Sequence, residues 1–430
     1  MKKFRHLSLI LAMLLMLSMA PLASAETLEI DFWHSWGSGP NYEAVTTLVN
    51  EFNAKWEGKY HVTETFTGNY AEVLSKGVVA YSANENPTVS VVDACMSLNA
   101  KEYGIMTNLS EKAAADGSYD INQFMPGMLM FSTDPKGNVW SLPFARSTQI
   151  MYVNKDLVKS VMGEEMMPES WDDVFTISKA WKEANGTPAY SHPITGGAFA
   201  WYVTTLGGEF LNAAGDAGCM YLNNAWEKAL TMWRTAIDNG WYQIPSLSTA
   251  GFFEDFMAGK LPIMFTSTGS LTKILGNAEF NVGVGYLVGG LKEDGSVHRS
   301  VTTGGANLML YNNKSEAETE AGWEFIKHMT STEANVYHNA TTGYILSHIG
   351  ADKLPQVQEL WTKTPEFKVA YDQLQFVHEA YVSKYMSEVN LEVIDNLNAF
   401  VMDNLTVEEG LEALKYTFEN IMPNGVTDTY

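Results

Sequence analysis

Residues 28–57, "LEIDFWHSWGSGPNYEAVTTLVNEFNAKWE", decide the fold. The opening LEIDFW is short and rich in aromatic and branched residues, as a strand requires. From Tyr42 the period changes. Tyr42, Val45, Leu48, Val49, Phe52 and Trp56 fall on one helical stripe, with acids and amides opposite. The same alternation then recurs: YHVTETF at 60–66 predicts a second strand and YAEVLSKGVVAYSA at 70–83 a second helix. TVSVV at 88–92 is an apolar run ending at Asp93 and predicts a buried parallel strand. This alternation of strand and helix is the pattern of an α/β lobe on a mostly parallel sheet. Ligands of such sheets bind beyond the carboxyl ends of the strands, which places Trp36, Tyr70 and Asp93 near a mouth. Phe32 is expected in the core, Trp36 at the cleft edge and His34 in a structural role.

The middle of the chain carries a second set of elements. NVWSLPFARS at 138–147 runs into strand-like TQIMYVN, followed by helical KDLVKSVM. In PESWDDVFTISKAWKEANG (168–186), Ser170 is positioned to cap a helix, with Asp173 at its third position. Trp171, Val174, Phe175, Ser178 and Trp181 share one face, and Gly186 ends it. A further amphipathic helix is read at 225–240, and a strand, small-polar turn and helix at 260–275. Later strands are read in FNVGVGYLVGG and NLMLYN, and late helices at 316–330 and 407–421. No repeat, low-complexity run or long linker interrupts them, so the lobes are expected to be joined by crossing strands.

Lys2, Lys3 and Arg5, then an apolar run over residues 7–20, then Ala23-Ser24-Ala25 read as a secretory signal peptide over residues 1–25. The run is short of the roughly 20 residues that span a bilayer. No cysteine follows it to carry a lipid, the first being Cys95. Losing three cations takes the formal charge from −23 to −26, a field that repels nucleic acid and anionic lipid. Hydrophobic content of 46% with 12% aromatics excludes a disordered chain. The 405 residues past the signal exceed what one core usually serves, so two domains are expected. Cys95 and Cys219 do not amount to a disulfide scaffold, and whether they pair is left open.

Enzyme signatures are missing: no His-Glu-x-x-His, no phosphate-binding glycine loop, no Gly-x-Ser-x-Gly elbow and no histidine pair at metal spacing. Acids are too many for any glycosidase pair to stand out. No catalytic residue, metal or cofactor is therefore assigned. What recurs instead is an aromatic or small hydroxyl residue beside glycine: Trp36-Gly37, Gly68-Asn69-Tyr70, Ser147-Thr148, Ser267-Thr268-Gly269, Gly304-Gly305 and Gly343-Tyr344. Aromatic faces with hydroxyl and backbone donors suit a polar, many-hydroxyl ligand in a cleft. Trp36 and Trp201, the latter read in a glycine-rich loop, GGAFAWY, are the candidate aromatic walls.

On FWHSW, FNAKW, GNYAEVLSKGVVAY, SLPFARSTQIMYVNKD, SWDDV, STGSL, TTGGANLML and TTGYI the chain resembles the extracellular solute-binding proteins of ABC importers. The resemblance spans residues 28–425 and lies in the subgroup of maltose-binding and glycerol-3-phosphate-binding proteins. FWHS, GNY and GGANL are closer to the glycerol-3-phosphate branch. It implies a periplasmic-binding-protein-like α/β fold, two α/β lobes joined by hinge crossovers. The first lobe would comprise 26–145 plus 297–343, and the second 146–296 plus 344–430. It implies solute contacts at Tyr70, Asp93, Ser147, Ser267, Gly305 and Tyr344, Asp93 standing where that branch has a glutamate. A phosphate-contacting arginine of the branch corresponds to Glu392, which would repel phosphate, leaving Arg146 as the one cation that could replace it. The expectation is a non-enzymatic periplasmic monomer that captures a sugar or small oligosaccharide and presents it to an inner-membrane ABC permease. Glycerol 3-phosphate or a glycerophosphodiester is the first alternative, and an exported carbohydrate-active enzyme the second.

Overall fold

A computed structural model describes residues 27–245, 250–378 and 383–430. The signal-peptide reading at 1–25 lies outside the described residues. β1 (Leu28–His34) pairs in parallel with β2 (Tyr60–Phe66) and β3 (Val89–Asp93). Along β1 the side chains alternate: Ile30, Phe32 and His34 are buried while Glu29 and Asp31 face solvent. The helix Gly39–Lys55 buries Val45, Leu48, Val49 and Phe52. The helix Tyr70–Ala83 starts with a reciprocal cap between Asn69 and Glu72.

β4 (Leu142–Asn154), 13 residues long, joins this lobe to the next. Through residues 142–148 it pairs antiparallel with β10 (Thr303–Leu310), which itself lies against β3. Through residues 149–154 it pairs with β6 (Ile263–Ser267) on one edge and β7 (Val282–Gly285) on the other. β5 (Tyr190–Ser191) adds in parallel to β6, giving the order β2-β1-β3-β10-β4-β6-β5. β8 (Gly290–Leu291) and β9 (Val297–His298) form a separate hairpin.

The molecule is thus two α/β lobes sharing one strand. The first core gathers Phe32, Phe52, Leu308, Trp323 and Phe325. In the second lobe Trp171, Tyr202, Trp226, Trp233 and Phe418 form one core, joined by the C-terminal helices Met386–Met402 and Val407–Ile421. Tyr152, Phe256, Met264 and Trp361 form another. Helix Trp171–Asn185 carries the Ser170–Asp173 capping box and ends at Gly186 in the left-handed region, as its sequence predicts. Cys95 and Cys219 are both free thiols.

One backbone position is required by the shared strand. Gly305, opposite Arg146 in the ladder, has φ +87°, and a Cβ there would lie 2.1 Å from the Ala145 carbonyl oxygen. Gly305→Ala is expected to destabilise by about 2 kcal/mol or more. Gly276→Ala, in helix Leu271–Asn277 with nothing within 4 Å of its Cβ, is expected to gain about 0.5–1 kcal/mol. Urea midpoints of the two variants check this, and equal midpoints would contradict it.

Candidate functional site

Where β4 leaves β10 and meets β6, the two lobes enclose a cavity of about 270 Å³. Asp93 and Ser267 reach it as the last residues of β3 and β6, the carboxyl ends at which α/β sheets place ligands. Ser147, Thr148 and Gln149 supply its floor from β4, and Thr303 and Gly304 a wall from β10. Thr195 and Gly197, at the start of helix Gly196–Thr205, and Met386 and Asn390, on helix Met386–Met402, close it from the second lobe.

Several wall residues cap helical turns, and that fixes their hydrogen-bond polarity. Asp93 Oδ1 accepts from Cys95 N at 2.9 Å. Ser267 Oγ accepts from Gly269 N at 3.1 Å, and Thr195 Oγ1 from Ala198 N at 3.0 Å. Thr303 Oγ1 accepts from Arg146 Nη2 at 2.8 Å. With a lone pair engaged in this way, each of these three hydroxyls has its proton left to turn toward the cavity. Gln149 Oε1 is buried and has no hydrogen-bond partner among the described residues. The wall therefore offers three hydroxyl donors and two acceptors, Asp93 and Gln149.

Among the described residues, Asp93 is the only charged side chain on this wall. Burial raises its pKa, against the lowering effect of the Cys95 N–H bond and the Arg146 charge. Arg146 is fully buried behind the wall, held by Thr303 and, through Nη1 at 3.3 Å, by Asn307 Oδ1. Burial brings its pKa down to about 10, so it remains a cation at neutral pH.

Asp93, Ser147 and Ser267 are thus brought together, with Gly305 one residue beyond the wall glycine Gly304 and Arg146 directly behind. Trp36, Tyr70 and Tyr344 form an aromatic group deeper in the first lobe. Trp36 Nε1 donates to Tyr344 Oη at 3.2 Å, and the Tyr70 ring sits edge-on to Trp36 at 6.2 Å. Trp36 is 7% exposed and packed in the first core, not on the cavity wall. The Tyr70 phenol is raised well above its ordinary range by burial and by the neighbouring Tyr344 and Asp93, so it stays neutral.

Trp36, Tyr70 and Tyr344, expected at the solute, pack together in the first core and do not line this cavity, and two further expectations are corrected. Trp201 is not in a loop: Thr195 caps a helix over Gly196–Thr205, and the Trp201 ring is buried against Trp171, donating Nε1–H to Val288 O at 2.9 Å. It packs the second core instead of walling the cleft. Glu392 is exposed and does not line the cavity. At about 100° per residue it points nearly opposite Asn390, the residue of its helix that does. The repulsion of phosphate assigned to Glu392 therefore does not operate in this cavity. Sequence reasoning misses Gln149, Thr195, Thr303 and Asn390, although a threonine before Gly-Gly was a legible cap.

Residues 47–369 match the sequence model of the family described as bacterial extracellular solute-binding protein. The chain belongs to that family. This solute-binding protein is 25% identical over 401 residues to the sn-glycerol-3-phosphate-binding periplasmic protein UgpB of Brucella abortus, covering 89% of each chain. Its fold is similar to that of Mycobacterium tuberculosis UgpB in complex with glycerophosphocholine, with TM-score 0.81 and 22% identity over 91% of this chain and 98% of that one. It is also similar to the GacH receptor of Streptomyces glaucescens, solved unliganded and with acarbose, with TM-score 0.80 and 16% identity over 92% and 98%. Among the described residues of the solute-binding protein, no helix is long and apolar enough to cross a membrane, and no three His, Cys, Asp or Glu are placed to hold a metal.

The Trp36–Tyr344 bond provides a test of the aromatic group. Tyr344→Phe leaves a buried indole N–H without its acceptor, at a cost of about 1–3 kcal/mol. The denaturation midpoint should fall accordingly, with a change in tryptophan emission; an unchanged midpoint would show that the bond contributes nothing.

Proposed function

We propose that this protein captures a neutral polyhydroxyl solute, a sugar or small oligosaccharide, and presents it to the permease of an ABC importer. The observation that carries the reading is the polarity of the cavity wall. Ser267, Thr195 and Thr303 offer protons, while Asp93 and Gln149 accept them. A sugar hydroxyl both donates and accepts, so a polyol can satisfy donors and acceptors alike, whereas the ionised phosphate group of a monoester only accepts. An anion held about 4 Å from Asp93 meets repulsion on the order of 4 kcal/mol per unit charge at an effective dielectric near 20. No arginine or lysine among the described residues lines the cavity to offset this. The cavity volume of about 270 Å³ lies just below the range of roughly 300–1,000 Å³ for drug-sized ligands, which favours one or two rings over a long chain.

The lobe boundaries near residues 145, 296 and 343 belong to this proposal and are supported by the change of partners along β4. Export through the residue 1–25 signal, a periplasmic location and action as a monomer belong to it as well. Periplasmic is the word used of the Brucella relative. The family's role is binding, and no chemistry on bound solute is proposed.

A glycerophosphodiester is the second reading. Helix Gly196–Thr205 begins at the cavity, and a helix N-terminus accommodates negative charge. A diester carries less charge than a monoester, and its glycerol hydroxyls can serve Asp93. Calorimetry separates the readings: sugars and polyols should give saturable heat, and glycerol 3-phosphate none. Asp93→Asn should weaken sugar binding about 10–100-fold, from the loss of one charged acceptor. Binding of the phosphate with none of the sugars would reverse the order, and product release from labelled oligosaccharides would indicate an enzyme.

A further inference from the structure

Of the arginines beyond the signal, Arg234 pairs with Asp238 and Arg299 with Glu169. Arg146 forms no ion pair among the described residues, is fully buried, and leaves its Nε without a hydrogen-bond partner there. An unpaired buried charge is unfavourable unless something compensates it. Its two terminal nitrogens face different structures. Nη2 holds the Thr303 hydroxyl on the cavity wall. Nη1 holds Asn307, whose Nδ2 donates to Ser132 Oγ at 2.7 Å and Ser141 Oγ at 3.0 Å. Ser141 in turn donates to Ser97 Oγ at 2.9 Å, at the start of helix Ser97–Glu102. All of these side chains are buried, so the guanidinium is fixed from behind and cannot swing into the cleft.

We propose that Arg146 is a positioning residue for solute capture, one that never touches the solute but aims the Thr303 hydroxyl proton into the cavity and keeps the Asp93 carboxylate ionised. The assignment rests on the polyol reading above and adds what sets the charge and polarity of that site. Asp93 and Arg146 flank β10 at neighbouring rungs, Asp93 opposite Ala306 and Arg146 opposite Gly305, and Cys95 from the turn after β3 and Tyr70 from helix Tyr70–Ala83 also face Asp93. The Cys95 thiol is pushed up by burial and the Tyr70 phenol is neutral, so Arg146 is the one charge among these three partners of Asp93. With Arg146 present, a fully buried cation stands behind the Asp93 carboxylate, which remains the charge that the described wall presents to a solute. Without it, Asp93 would keep only its bonds to Cys95 and Met96 against the effect of burial and bind its proton at higher pH.

The test titrates Asp93 by carboxyl carbon NMR in the free protein and measures solute affinity across pH by calorimetry. Arg146→Gln can still donate to Thr303 but removes the charge. Its Asp93 midpoint should rise by about one pH unit, and the acid-side loss of sugar affinity should move up with it. Arg146→Lys should hold the midpoint close to wild type. Thr303→Val should leave the midpoint unchanged and weaken the sugar about tenfold. An unchanged midpoint in Arg146→Gln, or full affinity in Thr303→Val, would overturn the assignment. If Arg146→Gln fails to fold, the lysine and valine variants decide. Because the titration needs no solute, a protein that binds no polyol would sink the preceding function and leave the Arg146–Asp93 coupling to be judged on the midpoints alone.

Discussion

The structure depends on one strand having to serve two sheets. β4 uses residues 142–148 to complete the first lobe's sheet and residues 149–154 to begin the second's. Backbone groups buried between the lobes must be paired on both sides of that handover. Tyr344 and Ile345 are drawn in at the same place, since Ile345 N donates to the Arg146 carbonyl at 2.7 Å. The ladder between β4 and β10 also carries a bulge on the β4 side, where Phe144 is the extra residue between Pro143 and Ala145, and the left-handed Gly305 of β10 sits one rung beyond it, opposite Arg146. The cavity lies at the handover, so any movement of one lobe against the other changes its width directly.

The same geometry explains the chemistry of the wall. Strands that end at the cleft hand over to helical turns, and the first residue of each turn caps the free N–H groups behind it. Asp93, Ser267 and Thr195 are all caps of this kind. Capping commits the rear lone pair of each and presents the remainder of the group to the cleft. Arg146 gives Thr303 the same polarity by a different route, from a side chain and not from a helix start. A set of oriented hydroxyls requires no rearrangement when solute arrives, which limits the ordering penalty on binding.

The α/β lobes were legible because their signals are local. A stripe at helical spacing, an alternating strand and the Ser170–Asp173 cap each lie within a few neighbouring residues. Asp93 and Ser267 were legible for the related reason that each stands at the end of an apolar strand. Trp201 was misplaced because its helix is buried on nearly every side, so no polar face marks its period. Glu392 was misplaced because a shift of two positions on a helix reverses the face, and only packing fixes the phase. Gln149 carries no local signal, and the sequence marks Arg146 only as a cation beside Ser147; their roles arise from β10 and β6 flanking β4, strands distant in sequence.

A crystal structure with the tightest-binding solute tests the central claim most directly. The account predicts solute hydroxyls at about 3 Å from an Asp93 oxygen and from Gln149 Oε1. The Arg146 guanidinium should still hold Thr303 and Asn307, out of contact with the solute. A solute seated outside the cavity between β4, β6 and β10, or a phosphate gripped directly by Arg146, would contradict it.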